Sequence, residues 1–171
     1  MPTETRSTGV ALEQEEGSVL LVTPTYNERG NLQELAARVF TAVPDCHLLV
    51  VDDDSPDGTA DLCGELQRQY PGLRLLRRTG ARGLGRAYLA GLRYGLERRY
   101  AVIGTLDADL SHNPDHLKAM LPLASTHDVV VGSRYIRDGG TINWRIRRIL
   151  LSWLANRFAA WLLRVPAHDM T

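Results

Sequence analysis

Lysine is almost missing from this chain: Lys118 is the only one, and every other basic residue is arginine. No GxxxxGK[ST] phosphate loop occurs, so that route to a nucleotide is closed. Glycine is missing where a dinucleotide site needs it. The turn after the first apolar run reads PTYNERGNL, with no glycine before Gly30, and the later pair Gly83 and Gly85 meets Tyr88 where a third glycine belongs. That pair reads instead as a close backbone approach at a helix start, a weak invitation to an anion. Cysteine is scarce. Cys46 and Cys63 have no metal-ligand spacing, and with no secretory leader they read as buried, reduced thiols of a cytosolic chain. No apolar run reaches the ~18 to 20 residues of a membrane span, so any membrane contact is peripheral. Net charge is zero, from 20 basic and 20 acidic residues, which argues against nucleic acid as a partner and against a disordered acidic chain.

What is present is a regular alternation of apolar runs and helical patterns in 171 residues, enough for one domain with a core. Residues 1–17 hold Glu4, Glu13, Glu15 and Glu16 against Arg6 and read as a flexible tail. Strands are expected over 18–24, 47–53, 73–77, 101–107 and 128–133. Helices are expected over 31–43, from the DSPDGT turn to Tyr70, over 83–99, and from the Asn113 and Pro114 cap to Leu123. Continuous apolar strands separated by helices make this an α/β chain with a mainly parallel sheet and helices on both faces. Ligands of such sheets collect at the carboxyl ends of the strands, near the point where strand order reverses.

Four polar clusters fall at those ends: Pro24 to Glu28, Asp52 to Asp54, Asp107 with Asp109, and Ser133 with Arg134. On a strand, Asp107 and Asp109 turn to the same side, because strand side chains repeat every two residues. Two such hard oxygens suit Mg²⁺ or Mn²⁺ completed by water and substrate phosphate. The plainer alternative is that they cap a turn. Asp52, Asp53 and Asp54 raise the stakes, since three adjacent carboxylates facing two more repel strongly unless a ligand hydrogen-bonds some and a cation holds others. His112, beside the pair, reads as a solvated loop histidine.

PTYNERGNL, VVDDDSPDGT, GLGRAYLAGL, DADLSHNPDHL and GSRY, in that order, resemble the family-2 glycosyltransferases of GT-A (Rossmann-like) fold, most closely the polyprenol-phosphate (dolichol-phosphate) mannosyltransferases. The resemblance covers residues 18–171 and implies a catalytic domain that transfers mannose from GDP-mannose to a polyprenyl phosphate. By the same resemblance Pro24, Tyr26, Glu28, Val51, Asp53, Asp107, Ala108, Asp109 and Arg134 bind the sugar nucleotide. Asp107 and Asp109 are then the metal ligands and catalytic residues, with Mg²⁺ or Mn²⁺ as cofactor. Some members carry Gln two residues after the second Asp; this chain has Ser111. The AHDMT end resembles a family segment that continues further, so the domain is expected to be truncated at Thr171. The chemistry is consistent, because a lipid phosphate is already largely ionised at neutral pH and attacks without a general base, giving inversion.

Residues 144–164, WRIRRILLSWLANRFAAWLLR, carry a helical stripe of Leu150, Leu154, Phe158 and Trp161, a pattern that suits packing on the sheet. Their three tryptophans and five arginines equally suit a lipid headgroup layer, which would place the protein peripherally on the inner face of the membrane. Rival readings are a related transferase using another sugar nucleotide such as UDP-glucose, and a non-catalytic nucleotide-binding module. DADLS also nearly matches the nucleophile motif of haloacid-dehalogenase phosphotransferases. That motif belongs after the first strand with a lysine supplied later, and here it follows the fourth.

Overall fold

The computed structural model describes residues 18–133, so the expected tail at 1–17, Arg134, the segment 144–164 and the AHDMT end lie outside the described residues. The chain divides into two compact units, Met1–Leu117 and Lys118–Thr171. In the first, β1 (Val19–Thr25), α1 (Arg29–Ala42), β2 (His47–Asp52), α2 (Thr59–Leu66), β3 (Leu73–Arg77), α3 (Leu84–Glu97) and β4 (Val102–Thr105) follow one another as the alternation requires. The strands pair in parallel in the order β3-β2-β1-β4. The chain winds outward from β1 to β3, then crosses back to lay β4 on the other side of β1. The reversal of strand order therefore lies between β1 and β4.

Each face of the sheet has its own core, as period-2 side chains on fully buried strands demand. Leu21, Leu48, Val50 and Leu73 meet the apolar stripe Leu32, Leu35, Ala36 and Val39 of α1, with Cys63 and Leu66 of α2. Leu20, Val22, Leu49 and Val51 meet Ala87, Tyr88 and Tyr94 of α3 on the opposite face. α3 approaches that face closely because Gly91 and Gly95 present no side chain to it. A methyl group at Gly91 would fall inside the Val22 side chain, and one at Gly95 would lie 2.6 Å from the Ile103 Cδ1 atom.

Two expected elements differ. Residues 128–133 are not among the four described strands. A strand exists only by pairing, and DVVVGS has composition without a ladder partner among the described residues; Val129 is 77% exposed. The helix expected from Asn113 to Leu123 is instead a 3₁₀ turn (Pro114–His116), one α turn (Leu117–Met120) and a second 3₁₀ turn (Leu121–Ser125). Pro122 has no N–H to give the carbonyl one turn back, so the α-helix cannot run through it. The Asn113 cap is present, its side chain accepting from the Asp115 N–H.

The two thiols are buried as expected. Burial pushes Cys46 up to about 11 and Cys63 up to about 12, with the Asp52 charge adding to the rise at Cys63. Neither should react with a maleimide at pH 8 in the folded chain, and both should in urea. Because these values are raised on folding, the stability tied to the neutral thiols is complete below pH 9 and is lost as pH climbs through 11 and 12. Gly91→Ala should lower the unfolding free energy by about 1–2 kcal/mol through overpacking against Val22. Gly64→Ala, at an exposed α2 position with open space around it, should raise it by about 0.5–1 kcal/mol, as denaturant titrations of both variants would show.

Candidate active site

Asp52 ends β2 and Asp53 and Asp54 follow it, three charges in a row, and each finds a different partner. Asp52 is fully buried and accepts three hydrogen bonds, from the Thr25 hydroxyl at 2.9 Å, the Ser55 hydroxyl at 2.6 Å and the Ser55 N–H at 2.9 Å. The parallel register makes this possible, since Thr25 sits opposite Asp52 in the β1–β2 ladder. Asp53 pairs with Arg78 through one oxygen and accepts the Gly83 N–H at 2.8 Å through the other. Asp54, held at φ +56°, meets Arg77 at 3.2 Å in the open. The repulsion expected of this run is thus relieved inside the protein, by two hydroxyls, backbone N–H groups and the two arginines at the end of β3. The run calls for no cation of its own.

Gly83 supplies the other half of that arrangement. Its φ of +150° lies in the region that favours glycine, and it delivers its N–H to Asp53 directly ahead of α3. The anion that the Gly83-Leu84-Gly85 stretch invites is therefore the protein's own Asp53 carboxylate at the N-terminus of α3.

Asp107 and Asp109 lie beyond β4, which stops at Thr105, so they occupy a turn rather than a strand end. The alternation argument does not apply to them, and other contacts set their directions. Asp107 accepts the Tyr88 hydroxyl at 2.6 Å, and its own N–H donates to the Nδ1 atom of His112 at 3.1 Å. That bond leaves the second ring nitrogen of His112, 3.9 Å from the Asp107 carboxylate, facing the acid. Burial and the bond to Asp107 push the Tyr88 phenol well above its ordinary range, so it remains a donor at every physiological pH. Asp109 accepts from Ser111, whose hydroxyl and N–H hold the carboxyl below its usual value. Leu110, at φ +62°, closes the turn.

These aspartates open onto a cavity of about 170 Å³ lined by Pro24, Glu28, Leu84, Asp107, Ala108 and Asp109. It lies between the ends of β1 and β4, where strand order reverses. Five sequence-predicted residues therefore meet at one place: Pro24, Glu28, Asp107, Ala108 and Asp109. Glu28 is itself held at the start of α1, its N–H bonded to the Thr59 hydroxyl at 3.1 Å and its carboxylate to Asn31 at 2.8 Å. Tyr26 stands outside the lining, 43% exposed, with Arg82 donating to its hydroxyl at 2.6 Å and stacked 4.4 Å above its ring. Val51 is fully buried in the core under α3, and Asp53 is taken up by Arg78 and Gly83. Arg134 falls outside the described residues.

Residues that sequence reasoning passed over are Tyr88, Arg78, Arg82 and Leu84. The failed third glycine of the fingerprint was the available signal for Tyr88. Among the described residues no three His, Cys, Asp or Glu side chains form a metal cage. Two carboxylates, one held ionised by Ser111 and one fixed by Tyr88, nonetheless fit Mg²⁺ or Mn²⁺, which binds through one or two carboxylates with water and substrate phosphates.

The sequence model of the family described as glycosyl transferase family 2 matches residues 20–167. Polyprenol monophosphomannose synthase of Mycolicibacterium smegmatis is 46% identical over 154 residues, 89% of this chain and 58% of that protein. Undecaprenyl-phosphate mannosyltransferase of Micrococcus luteus is 42% identical over 153 residues, 90% of this chain and 63% of that protein. The chain thus spans about three fifths of the length of these relatives. Residues 1–349 of TarS from S. aureus share the fold at a TM-score of 0.54, with 23% identity over 65% of this chain and 33% of that one.

Replacing Asp52 with alanine would strand the donors of Thr25 and Ser55 in a buried site and should cost about 3 kcal/mol of stability. Asp54→Ala breaks only a half-exposed pair and should cost less than about 1 kcal/mol, a contrast that equilibrium unfolding in urea would resolve.

Proposed function

The chain belongs to glycosyl transferase family 2, and we propose that it transfers mannose from GDP-mannose to a polyprenyl phosphate, with Mg²⁺ or Mn²⁺ as cofactor. The observation that carries the reading is the cavity at the reversal of strand order, where Pro24 and Glu28 from the first loop face Asp107, Ala108 and Asp109. The names of the mannosyltransferase relatives support mannose as the sugar and a polyprenyl phosphate as the acceptor.

In this reading Pro24, Tyr26, Glu28, Val51, Asp53 and Ala108 form or support the nucleotide-sugar site, Arg134 contacts phosphate, and Asp107 and Asp109 hold the metal. When bound, the divalent ion neutralises charge developing on the nucleotide diphosphate as it leaves. The protein's own part is to present two ionised carboxylates at fixed positions. Ser111 keeps Asp109 deprotonated, and Tyr88 fixes Asp107 through one oxygen, leaving the other on the side of His112. The acceptor phosphate is mostly dianionic at neutral pH, so its oxygen attacks the anomeric carbon without a protein base and the configuration inverts. No serine, histidine and aspartate arrangement is needed. The site of work is the inner face of the membrane, with 144–164 as the peripheral contact.

Calorimetry with GDP-mannose should show binding that EDTA and Asp109→Asn each weaken at least tenfold. Binding indifferent to both would remove the metal from the mechanism. With labelled sugar nucleotides and a polyprenyl phosphate, glycolipid should form from GDP-mannose and fall about 100-fold or more in Asp109→Asn. Product from UDP-glucose alone would overturn the assignment of mannose.

A further inference from the structure

The opposite flank of α3 carries a second groove, larger than the first. Arg78, Arg86, Leu89, Ala90 and Arg93 enclose about 360 Å³ open to solvent. Seven residues, about 10 Å of helix, separate Arg86 from Arg93, so both guanidinium groups stand on the outward face while Ala87, Gly91 and Gly95 face the sheet. Among the described residues neither Arg86 nor Arg93 has a carboxylate or hydrogen-bond partner. Glu97, one turn past Arg93, forms no ion pair among them either. Arg78 is the only one of the three that is neutralised, by Asp53.

The same face exposes apolar bulk. Leu89 is 56% exposed and Leu96 is 70% exposed, one on each side of Arg93 along the helix. Two unpaired arginines alternating with protruding leucines are matched by a surface that offers phosphate at one depth and hydrocarbon just below it. Nucleic acid answers only half of that description. It gives the leucines nothing to enter.

From this we propose that the outer face of α3 is a docking surface for an anionic lipid bilayer, in which Arg86 and Arg93 bind headgroup phosphates and Leu89 and Leu96 enter the interfacial layer. The surface shares no lining residue with the nucleotide cavity. It does not depend on the sugar or the acceptor. α3 lies along the membrane through one face, with its other face on the sheet. No described helix is long and apolar enough to cross the bilayer, so contact by this face is peripheral.

Flotation of the whole chain with phosphatidylcholine vesicles, with and without phosphatidylglycerol, tests this directly. Wild type should float with the anionic vesicles and release at high salt. The Arg86→Ala, Arg93→Ala double variant should bind about 30-fold more weakly, at about fivefold for each basic side chain lost. Leu89→Ser with Leu96→Ser should weaken binding while leaving its salt dependence in place. Circular dichroism melts matching wild type keep a folding defect from passing as lost docking. Wild-type binding that is equal on neutral and anionic vesicles, or undiminished in the double arginine variant, overturns the proposal. So does a short RNA or inorganic phosphate that binds the groove while anionic vesicles do not. Glycolipid synthesis on detergent-solubilised acceptor is scored separately, so loss of docking and loss of the proposed activity are distinguishable.

Discussion

Three adjacent carboxylates at the end of a buried strand are the condition around which this domain is arranged. Like charges at that spacing cannot coexist beside a core unless each is answered separately. The answers come from three directions. Thr25 reaches Asp52 across the ladder, Ser55 folds the following turn back onto it, and Arg77 and Arg78 arrive at the end of β3 to meet Asp54 and Asp53. Gly83 completes the set at the start of α3. One electrostatic problem thereby sets the course of the loops after β1, β2 and β3, and the first of them brings Glu28 to the cavity.

The parallel sheet and its flanking helices were legible from the chain because both signals are local. Apolar runs such as HLLVVDD can only be buried on two faces, and the stripe in NLQELAARVFTAV has one period. Strand 128–133 was misread because apolar composition states a need for burial, not the presence of a pairing edge. The helix after Asn113 was overextended because Pro122 was not weighed against the cap. Pattern at the start of an element does not govern its length.

The site was partly legible in the same way. Residues at or after the carboxyl ends of β1 and β4 converge as the strand-end rule requires, so Pro24, Glu28, Asp107, Ala108 and Asp109 meet at one cavity. Strand alternation does not orient the two aspartates, since β4 stops at Thr105; a turn with Leu110 at positive φ and bonds from Tyr88 and Ser111 aims them. Partners supplied by a different element leave no trace in local spacing. Tyr88 is 19 residues from Asp107 and Arg78 is 25 from Asp53, and only the fold brings them together.

α3 touches the site twice. Its leading N–H holds Asp53, and a turn later its Tyr88 hydroxyl holds Asp107. Gly91 and Gly95 seat the same helix hard against β1 and β4. It behaves as one beam joining Asp53, beyond β2, to Asp107 at the cavity. A tilt of that beam carries both aspartates with it, so the two carboxylates shift together and are not placed one at a time.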